Sequence, residues 1–454
     1  MNEFNEKYLQ NVVDIRVSNV DKKIYPNKSL VKLCNYMDAY SNDYISSKIS
    51  FTTGSADLNE IQKFGLKIDD VLITKDSETP EDIAVSSVVI EDLNNVVCGY
   101  HLAILRPNRD ELDGKYLMFK LKSDELKRYF LSVAKGSTRF GLTIGDLENA
   151  KIKFPSLSTQ QQIAKILSTA DAVIEKTQAA IAKYKDIKQG MLQDLFTRGV
   201  VSEKVKVKSE KGEWIEKEIW KLRPRYEDAP HLYKESKLGM IPREWEEKSI
   251  ESIGEIVTGS TPPTARAEYY GDEFLFVSPA DIQDNFFIHE TGKKLTQSGF
   301  DVTRKLPENS ICVVCIGSTI GKMALLAKEG CTNQQINSVI CFDPELSFYF
   351  FYAMMLYNEP QFRREAGLQA VPIVNKSQFS EFLLPVAEKK EALKIAERLL
   401  AIDNKLQTEQ TYLQKMQSLK KGLMEDLLSG KKQVPVLSGA EGKVQEELIK
   451  QNEN

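Results

Sequence analysis

Histidine, the residue most often used for acid–base catalysis, is scarce in this sequence. Only three occur in 454 residues, His101, His231 and His289, and they are far apart and in no metal or triad spacing. A glycine-rich cofactor loop after a strand pattern is also missing, as is the Asn-Pro-Pro-aromatic tetrapeptide of amino-methyltransferases. We therefore expect no histidine-based active site, and we interpret each histidine as a surface or hydrogen-bonded residue.

Long apolar runs and a cysteine framework are missing as well. No apolar run approaches the roughly 20 residues of a membrane helix, and residues 1–6 lack the basic and apolar parts of a signal peptide. The cysteines are too scattered for a disulfide framework, which favours a reducing compartment, the cytoplasm. We expect them to be reduced core residues: Cys34, Cys98, Cys312, Cys315, Cys331 and Cys341.

Charge of one sign does not dominate the composition. The formal net charge is −4, so binding to a nucleic acid would require basic patches among acidic ones. The length fits roughly three domains of about 150 residues, and 42% hydrophobic residues are enough for folded cores. Composition alone therefore leaves the kind of partner open.

Two apparent chemical motifs fail on their spacing. Residues 317–323 resemble a phosphate-binding loop, but the glycines stand one residue too close and Met323 replaces the magnesium-binding hydroxyl. Cys312 and Cys315 have the CxxC spacing, but they stand in an apolar strand pattern without the second pair that a zinc site needs. We therefore interpret the chain as a non-catalytic binding protein.

A duplicated segment is the strongest positive feature of the sequence. Its two copies are residues 155–199 and residues 385–430. Each begins with a proline, Pro155 or Pro385, and continues in a helical pattern without another proline. Gly190 in the first copy and Gly422 in the second stand 232 positions apart. The chain is therefore predicted to consist of two tandem half-molecules, each a globular part followed by a long helix.

Both copies have the period of a coiled coil. The first has a capping-box pattern at residues 158–161 and a glycine stop at Gly199. Mostly apolar residues recur every three or four positions: Ile163, Ile166, Ala170, Val173, Thr177, Ala180, Tyr184, Ile187 and Met191, then Ile395, Leu399, Ile402, Leu406, Leu413, Met416, Leu419, Leu423 and Leu427. We expect an antiparallel intramolecular coiled coil; the alternative is that each helix packs on its own globular part.

The rest of the chain divides around these helices. Residues 1–154 and 241–384 share an order of short strand patterns followed by one predicted helix, at 114–134 and at 347–365. Residues 200–240 are predicted to be a charged linker, and residues 431–454 a polar tail. The expected fold class is α+β, with two α/β-mixed domains separated by two long helices in a pseudo-two-fold symmetric arrangement.

Polar clusters between the strand patterns are the candidate binding residues. Lys, Arg, Asn, Gln, Ser and Thr contact the phosphates and base edges of duplex DNA. The candidates are Thr53, Ser55, Lys75, Ser77, Ser137, Thr138 and Arg139 in the first globular part, and Thr258, Ser260, Thr261, Lys293, Lys294, Ser318, Thr319, Lys322, Asn333, Gln334, Asn375 and Lys376 in the second. For any single cluster, an ordinary solvated turn is the alternative interpretation.

The junction between the two halves carries a specific pattern. Residues 196–199 (Phe-Thr-Arg-Gly), 222–224 (Leu-Arg-Pro) and 233–246 closely resemble the centre of specificity subunits of type I restriction-modification enzymes. The first helix is similar to the spacer helix of the same family, and the likeness covers nearly the whole chain. The first globular part departs from the family pattern, because residues 8–13 lack the tryptophan-led beginning seen at Trp245.

The resemblance implies a division of labour. In this family, two target-recognition domains, here 1–154 and 241–384, each read one half of a split DNA sequence. The helices act as a ruler and dock two adenine methyltransferase subunits, and restriction (motor-nuclease) subunits join them. Catalysis, S-adenosylmethionine, ATP and Mg²⁺ would belong to these partners, and this chain would bind no metal. Candidate coiled-coil and docking residues are Ile163, Ile166, Ala170, Val173, Tyr184, Ile187, Met191, Leu399, Ile402, Leu406, Leu413, Met416 and Leu423.

Two other classes of function remain open. A coiled-coil scaffold would recruit proteins without reading DNA, and a sequence-specific footprint with the methyltransferase present would exclude it. A self-contained restriction-modification enzyme would need catalytic motifs that the sequence lacks. Methyl transfer or ATP hydrolysis by the purified chain alone would support that third reading.

Overall fold

A computed structural model describes residues 4–208, 213–283, 286–343, 348–367 and 372–434. The chain divides into two compact units. The first unit is formed by Met1–Lys176 and Leu413–Asn454, and the second by Thr177–Tyr412. Each unit contains one globular part and a portion of both long helices. Of the predicted polar tail, residues 435–454 lie outside the described residues.

The first unit is built on a mixed sheet. Its strands are β1 (Asn5–Tyr8), β2 (Val13–Val17), β3 (Ser29–Cys34), β4 (Tyr44–Ile45), β5 (Thr52–Ala56), β6 (Val71–Thr74), β7 (Asp76–Ser77), β8 (Ser86–Val89), β9 (Val96–Cys98), β10 (Leu102–Pro107), β11 (Phe140–Gly141) and β12 (Lys151–Phe154). Its helices are α1 (Tyr36–Ser41), α2 (Leu58–Phe64), α3 (Gly114–Leu121), α4 (Asp124–Val133), α5 (Ile144–Glu148) and the first part of α6 (Leu157–Arg198). The five-stranded sheet has the order β2-β10-β6-β8-β4; a second sheet has the order β5-β3-β9.

The second unit has a closely related set of elements. Its strands are β13 (Val200–Lys208), β14 (Trp214–Leu222), β15 (Tyr233–Ser236), β16 (Gly239–Pro242), β17 (Glu246–Ser249), β18 (Gly254–Thr258), β19 (Tyr270–Gly271), β20 (Phe274–Val277), β21 (Phe287–Ile288), β22 (Lys294–Leu295), β23 (Ile311–Val314), β24 (Met323–Leu326), β25 (Gly330–Thr332), β26 (Ile336–Cys341) and β27 (Leu383–Val386). Its helices are α7 (Ile250–Ile253), α8 (Gln297–Asp301), α9 (Phe348–Tyr357), α10 (Glu359–Glu365), α11 (Lys376–Glu381) and the first part of α12 (Lys389–Leu428).

The two units share one topology. The five-stranded sheet of the second unit has the order β18-β26-β23-β24-β21. In each five-stranded sheet the last pair is parallel, β8 with β4 and β24 with β21, and the other pairs are antiparallel. This equivalence confirms the predicted α+β fold with an internal repeat.

Each helix predicted after the strands is broken into two. Ser123 separates α3 from α4, and Asn358 separates α9 from α10. Serine and asparagine are favoured at helix starts, where their side chains compete with the helical backbone. Apolar periodicity continued across both breaks, which is why the sequence pattern merged each pair into one helix.

The two long helices run antiparallel to one another. In the first unit, residues 427–428 of α12 join one hydrophobic cluster with residues 163–167 of α6. In the second unit, residues 195–196 of α6 join a cluster with residues 392–399 of α12. The end of each helix thus meets the beginning of the other, which confirms the predicted pairing. Side chains of the globular parts belong to the same clusters, so the helix ends also pack on the globular parts.

The buried stripe of α6 agrees with the predicted seam in its first half and differs from it near Ile187. Ile163, Ala170 and Thr177 are buried, but Ile187 is 40% exposed whereas Ile181 is 8% exposed. Residues three and four apart lie on the same helix face, so the period alone did not decide between them. Seam residues that are partly buried are Ile166, Val173, Ala180, Tyr184, Met191, Ile402, Leu413, Met416 and Leu423; those that are buried in α12 are Ile395, Leu399, Leu406 and Leu427.

Leu419 of α12 is 50% exposed. The prediction that Ile187 and Leu419 belong to the intramolecular seam is therefore wrong, and both side chains face solvent within this chain.

The prolines and the capping box do not mark the helix starts as predicted. Both helices begin 232 positions apart, α6 at Leu157 and α12 at Lys389. Pro155 follows β12, whereas Pro385 lies inside β27 and pairs with Glu247, so the two prolines are not equivalent. Ser158 lies in the first turn of α6, and the carbonyl oxygen of Ser156 accepts a hydrogen bond from the amide of Gln160 at 3.0 Å.

The segment predicted to be a linker contains two ordered hairpins, β13–β14 and β15–β16. Valines that alternate with lysines, such as Val205 and Val207, have the period of a strand, which the charge density obscured. After the first hairpin, Arg223 is 4% exposed and forms a buried ion pair with Glu391 in the first turn of α12. Glu391 also accepts a hydrogen bond from the amide of Val200 at 2.7 Å.

A glycine and an aromatic ring meet at the end of each long helix. Gly199 follows α6 with a φ of 64°, and an added Cβ would lie 2.8 Å from the Trp245 ring. Gly430 follows α12 with a φ of 77°, and an added Cβ would lie 2.8 Å from the Phe4 ring. Phe4 therefore makes the contact in the first unit that Trp245 makes in the second. Only glycine combines this left-handed backbone with so close a contact.

Candidate nucleic-acid interface

Three segments converge in the first unit to form a charged cluster, here called the cationic cluster: residues 75–77, residues 100–101 and residues 136–141. β7 pairs with β11 through Ser77 opposite Phe140. The amide of Lys75 donates a hydrogen bond to the carbonyl oxygen of His101 at 3.1 Å. Gly136 makes the turn that leads to β11, with a φ of 150°. Backbone pairing thus brings together residues that are 63 positions apart in sequence, Ser77 and Phe140.

The side chains of the cationic cluster contact one another in a chain. His101 Nδ1 lies 3.0 Å from Asp76 Oδ2, and Lys75 Nζ lies 2.9 Å from the same oxygen. Arg139 places one guanidinium nitrogen 3.2 and 3.3 Å from the two ring nitrogens of His101. Tyr100 packs edge-on against the His101 ring with centroids 4.6 Å apart. The cluster therefore combines cations and an exposed aromatic ring around one carboxylate.

The carboxylate at the centre of this cluster is held ionised. Burial alone would raise the pKa of Asp76, but the hydrogen bonds and charges of His101 and Lys75 outweigh it and lower that pKa below its ordinary value. An ionised Asp76 attracts the His101 ring and the Lys75 ammonium group, and so fixes both.

The predicted DNA-contacting residues of the first unit differ in their exposure to solvent. Ser137, Thr138 and Arg139 are exposed, and Lys75 is partly exposed. Ser55 is 1% exposed, and its hydroxyl accepts a hydrogen bond from the Tyr25 amide. Its suggested role in binding is wrong, because the fold already uses its hydroxyl.

Two further candidates of the first unit, Ser77 and Thr53, do not contribute an exposed side chain to the cationic cluster. Ser77 is 6% exposed and accepts a hydrogen bond from the Thr79 amide, so it too is structural. Thr53 is exposed on β5 and stands apart from the β7–β11 pair in the sheet order. Sequence reasoning missed Tyr100. It interpreted His101 only as a surface or hydrogen-bonded residue, and the hydrogen bond to Asp76 agrees with that interpretation. The signal that could have identified Tyr100 and His101 is their position directly before β10, because β10 lies beside β6 in the sheet and β6 leads to Lys75 and Asp76.

The corresponding position in the second unit, before β26, carries side-chain amides and a hydroxyl. We call Thr261, Asn333, Gln334 and Gln335 the carboxamide cluster. Thr261 Oγ1 donates a hydrogen bond to Gln334 Oε1 at 2.6 Å, and Asn333 Nδ2 donates to Gln335 Oε1 at 2.9 Å. Gln334 and Gln335 precede β26 as Tyr100 and His101 precede β10. The same position in the fold therefore carries different chemistry in the two units.

The turn after β23 approaches the carboxamide cluster. The amide of Cys315 donates to the carbonyl oxygen of Gln335 at 2.8 Å, and the amide of Gly317 donates to that of Pro372 at 3.0 Å. Ser318 is exposed and Thr319 is partly exposed on this turn. Arg304 donates to the carbonyl oxygen of Thr258 at 2.7 Å; the sequence reasoning did not single out this arginine.

The other predicted residues of the second unit are more scattered. Ser260 accepts a hydrogen bond from the Arg304 amide at 3.2 Å, and Lys294 forms an ion pair with Glu290 at 2.5 Å. Asn375 is the N-cap of α11, where its side-chain oxygen accepts the Gln378 amide, so that oxygen is already used. Exposed candidates without a further assignment are Lys293, Lys322 and Lys376.

Metal-ligating side chains do not form a cluster within the described ranges. No group of three or more His, Cys, Asp and Glu side chains suited to a metal ion occurs there. Burial raises the pKa of both Cys312 and Cys315 to about 12, which disfavours a thiolate at neutral pH. Within the same ranges, no helix is long and apolar enough to cross a membrane.

Comparison with known proteins gives consistent results. The family model described as the type I restriction modification DNA specificity domain matches residues 1–183 and 242–418. The chain is 26% identical over 435 residues to the type I restriction enzyme HindI specificity subunit of Haemophilus influenzae, covering 86% of this chain and 93% of that protein. It is 24% identical over 378 residues to the putative type I restriction enzyme MjaX specificity subunit of Methanocaldococcus jannaschii, covering 82% and 80%.

A solved structure shows the same fold. The S subunit of a type I restriction-modification system from M. genitalium superposes with a TM-score of 0.61 at 15% identity, covering 94% of this chain and 96% of that one.

Proposed function

The chain belongs to the type I restriction-modification DNA specificity family, and we propose that it is a non-catalytic subunit in which each unit reads one half of an asymmetric bipartite DNA site. The observation that carries this proposal is the contrast between the two clusters. Equivalent positions before β10 and β26 carry Tyr100 and His101 in one unit and Gln334 and Gln335 in the other.

The chemistry of both clusters suits DNA. Guanidinium and ammonium groups bind phosphates and guanine edges, whereas carboxamides bind adenine edges through paired donors and acceptors. Two different readers on one fold recognise two different half-sites. Half-sites about one DNA turn apart, roughly 34 Å, would face the protein from the same side.

The long helices are proposed to dock two methyltransferase subunits, through which restriction subunits join. The exposed Ile187 and Leu419 stand 232 positions apart, as do Gly190 and Gly422. They are therefore equivalent sites on the two copies of the helix. Two equivalent sites on one chain suit two copies of one partner.

The two glycines support this docking proposal. A Cβ added to Gly190 or Gly422 would meet nothing within 4 Å in this chain. Glycine inside a helix costs about 1 kcal/mol relative to alanine, and the packing of the chain itself does not require it. A partner backbone that approaches closely at both places would account for both glycines.

The chemistry of the complex is assigned to the partners. S-adenosylmethionine would be bound by the methyltransferase subunits, and ATP and Mg²⁺ by the restriction subunits. The cytoplasmic location likewise stays a prediction.

The test uses the chain co-expressed with its methyltransferase subunit. Mapping methylated adenines should give one asymmetric bipartite motif, and a footprint of the purified complex should cover both halves. A complex that forms but protects no specific sequence would favour the scaffold. Methyl transfer by the chain alone would favour a self-contained enzyme.

A further inference from the structure

We propose that Arg139 reads a guanine in the half-site bound by the first unit, and that His101 and Asp76 are positioning residues for its guanidinium group. This inference rests on the proposed DNA-reading function and names the base contact of one unit.

One guanidinium nitrogen of Arg139 lies close to both nitrogens of the His101 ring. It is 3.2 Å from one ring nitrogen and 3.3 Å from the other. A hydrogen bond in the plane of the ring would bring it close to one nitrogen only, so the nearly equal distances place this nitrogen to one side of the ring plane. Stacking on an aromatic face is a contact that arginine makes through its planar, delocalised charge.

The ring beneath Arg139 is itself held in place. His101 Nδ1 contacts the Asp76 carboxylate at 3.0 Å, and the Tyr100 and His101 rings pack at a steep angle with centroids 4.6 Å apart. Asp76 lies in β7, and Arg139 directly precedes β11, the strand that pairs with β7. Two paired strands therefore carry the two ends of this chain of contacts, which limits the orientations open to the guanidinium.

The charge of Arg139 remains available for a ligand. Among the described residues, no carboxylate lies within ion-pair distance of it, and its recorded contacts are with His101. Lys75, by contrast, is paired with Asp76 at 2.9 Å. Arg139 is thus the exposed cation of the cluster whose donors are not taken up by an acidic side chain.

An oriented guanidinium fits a base edge better than a phosphate. A phosphate contact needs charge but little orientation, whereas guanine presents O6 and N7 side by side and takes two parallel donors of one arginine. Support of the ring by a carboxylate would add little to a phosphate contact. Such support is useful where the planar guanidinium group must align with the edge of a base.

The experiment maps methylated adenines in cells that carry the chain and its methyltransferase subunit. With Arg139→Ala, we expect one half of the motif to lose discrimination at one guanine by about tenfold or more, while the other half stays unchanged. His101→Ala should relax the same position, and His101→Phe, which keeps a ring face, should restore most of it.

A matched control separates this role from general loss of charge. Arg109 is also exposed in the first unit but is paired with Asp69 at 3.3 Å, so Arg109→Ala should leave the motif unchanged. An Arg139→Ala complex that binds all sites more weakly with the same motif would identify a phosphate contact and overturn the proposal. Relaxation in the other half would also overturn it.

Failure of the function itself would look different. If the wild-type complex yields no sequence motif at all, both the proposed DNA-reading function and the proposed base contact are wrong. If the wild type yields a bipartite motif that Arg139→Ala leaves intact, only the base contact falls.

Discussion

Lys188 of α6 and Asp403 of α12 form an ion pair in which the lysine nitrogen lies 2.7 Å from a carboxylate oxygen. Their repeat equivalents, Lys420 and Asp171, form the same pair in the first unit. Each aspartate also accepts a hydrogen bond from a tyrosine hydroxyl, Tyr349 on Asp403 and Tyr44 on Asp171. Each duplicated helix thus contributes one lysine and one aspartate to these two ion pairs, and antiparallel pairing brings each lysine to the aspartate of the other helix.

The ion pair of the second unit should contribute strongly to stability. Asp403 is 3% exposed, so Lys188→Met leaves a buried carboxylate without its cation and should cost about 3–5 kcal/mol. The double variant Lys188→Met with Asp403→Leu should lose less than the two single changes together. Urea unfolding followed by tryptophan fluorescence measures this, because all three tryptophans lie in the second unit.

A surface pair provides the control for that measurement. Lys221 pairs with Glu203 on the exposed hairpin, where its side chain is 56% exposed. Lys221→Met should change the free energy of unfolding by less than about 1 kcal/mol. An equal loss for both lysines would show that the Lys188 pair is no more important than a surface contact.

Gly190 inside α6 and Gly199 directly after it should respond in opposite directions to substitution by alanine. Gly199→Ala places a Cβ against Glu391, Arg223 and Trp245 in a backbone with φ of 64°, and should destabilise the chain by more than about 1 kcal/mol. Gly190→Ala meets nothing within 4 Å and should stabilise the helix by up to about 1 kcal/mol. Thermal unfolding of both variants checks this; a stabilising Gly199→Ala would contradict the proposed close contact.

The exposed apolar residues should each support one partner subunit. Ile187→Glu or Leu419→Glu should reduce the complex from two methyltransferase subunits to one, and the double variant should retain none, as read by native mass spectrometry. Gly190→Ala should weaken assembly although it stabilises the free chain. Gln189→Glu and Gln417→Glu add the same charge at exposed neighbours and serve as controls. Full assembly of the double variant would place the docking surface elsewhere.

The long helices should set the gap between half-sites. Four residues inserted at the unit border in both helices, after Lys176 and after Tyr412, lengthen each by about 6 Å. The gap in the methylated motif should then change by about 2 base pairs, at about 3.4 Å per pair, while both half-sites stay the same. Methylation mapping decides this, and an unchanged gap would contradict the ruler proposal.

The helices and the repeat could be predicted because both depend on local pattern. An apolar period over forty residues is long enough to specify a helix, and the offset between Gly190 and Gly422 relates the two copies directly. The broken helices at Ser123 and Asn358 were missed because one polar residue hardly disturbs such a period. The linker was misjudged because charge density hid the strand alternation around Val205 and Val207.

The candidate site was harder to predict for a physical reason. Polar residues in turns look alike in sequence, and only strand pairing decides which turns meet. Pairing of β7 with β11 brings Arg139 beside His101 and Asp76, whereas Ser55, in an equally polar segment, is buried by its own sheet.

The sequence by itself determined the frame: two copies of an α+β unit and a long helix, with antiparallel helices, because these follow from repetition and period. Tertiary structure alone decided which residues face inward, which residues meet, and which charges remain unpaired. Those properties depend on contacts between segments far apart in the chain, and no local pattern records them. The exposed pair Ile187 and Leu419 and the contact of Arg139 with His101 are known only from the tertiary structure.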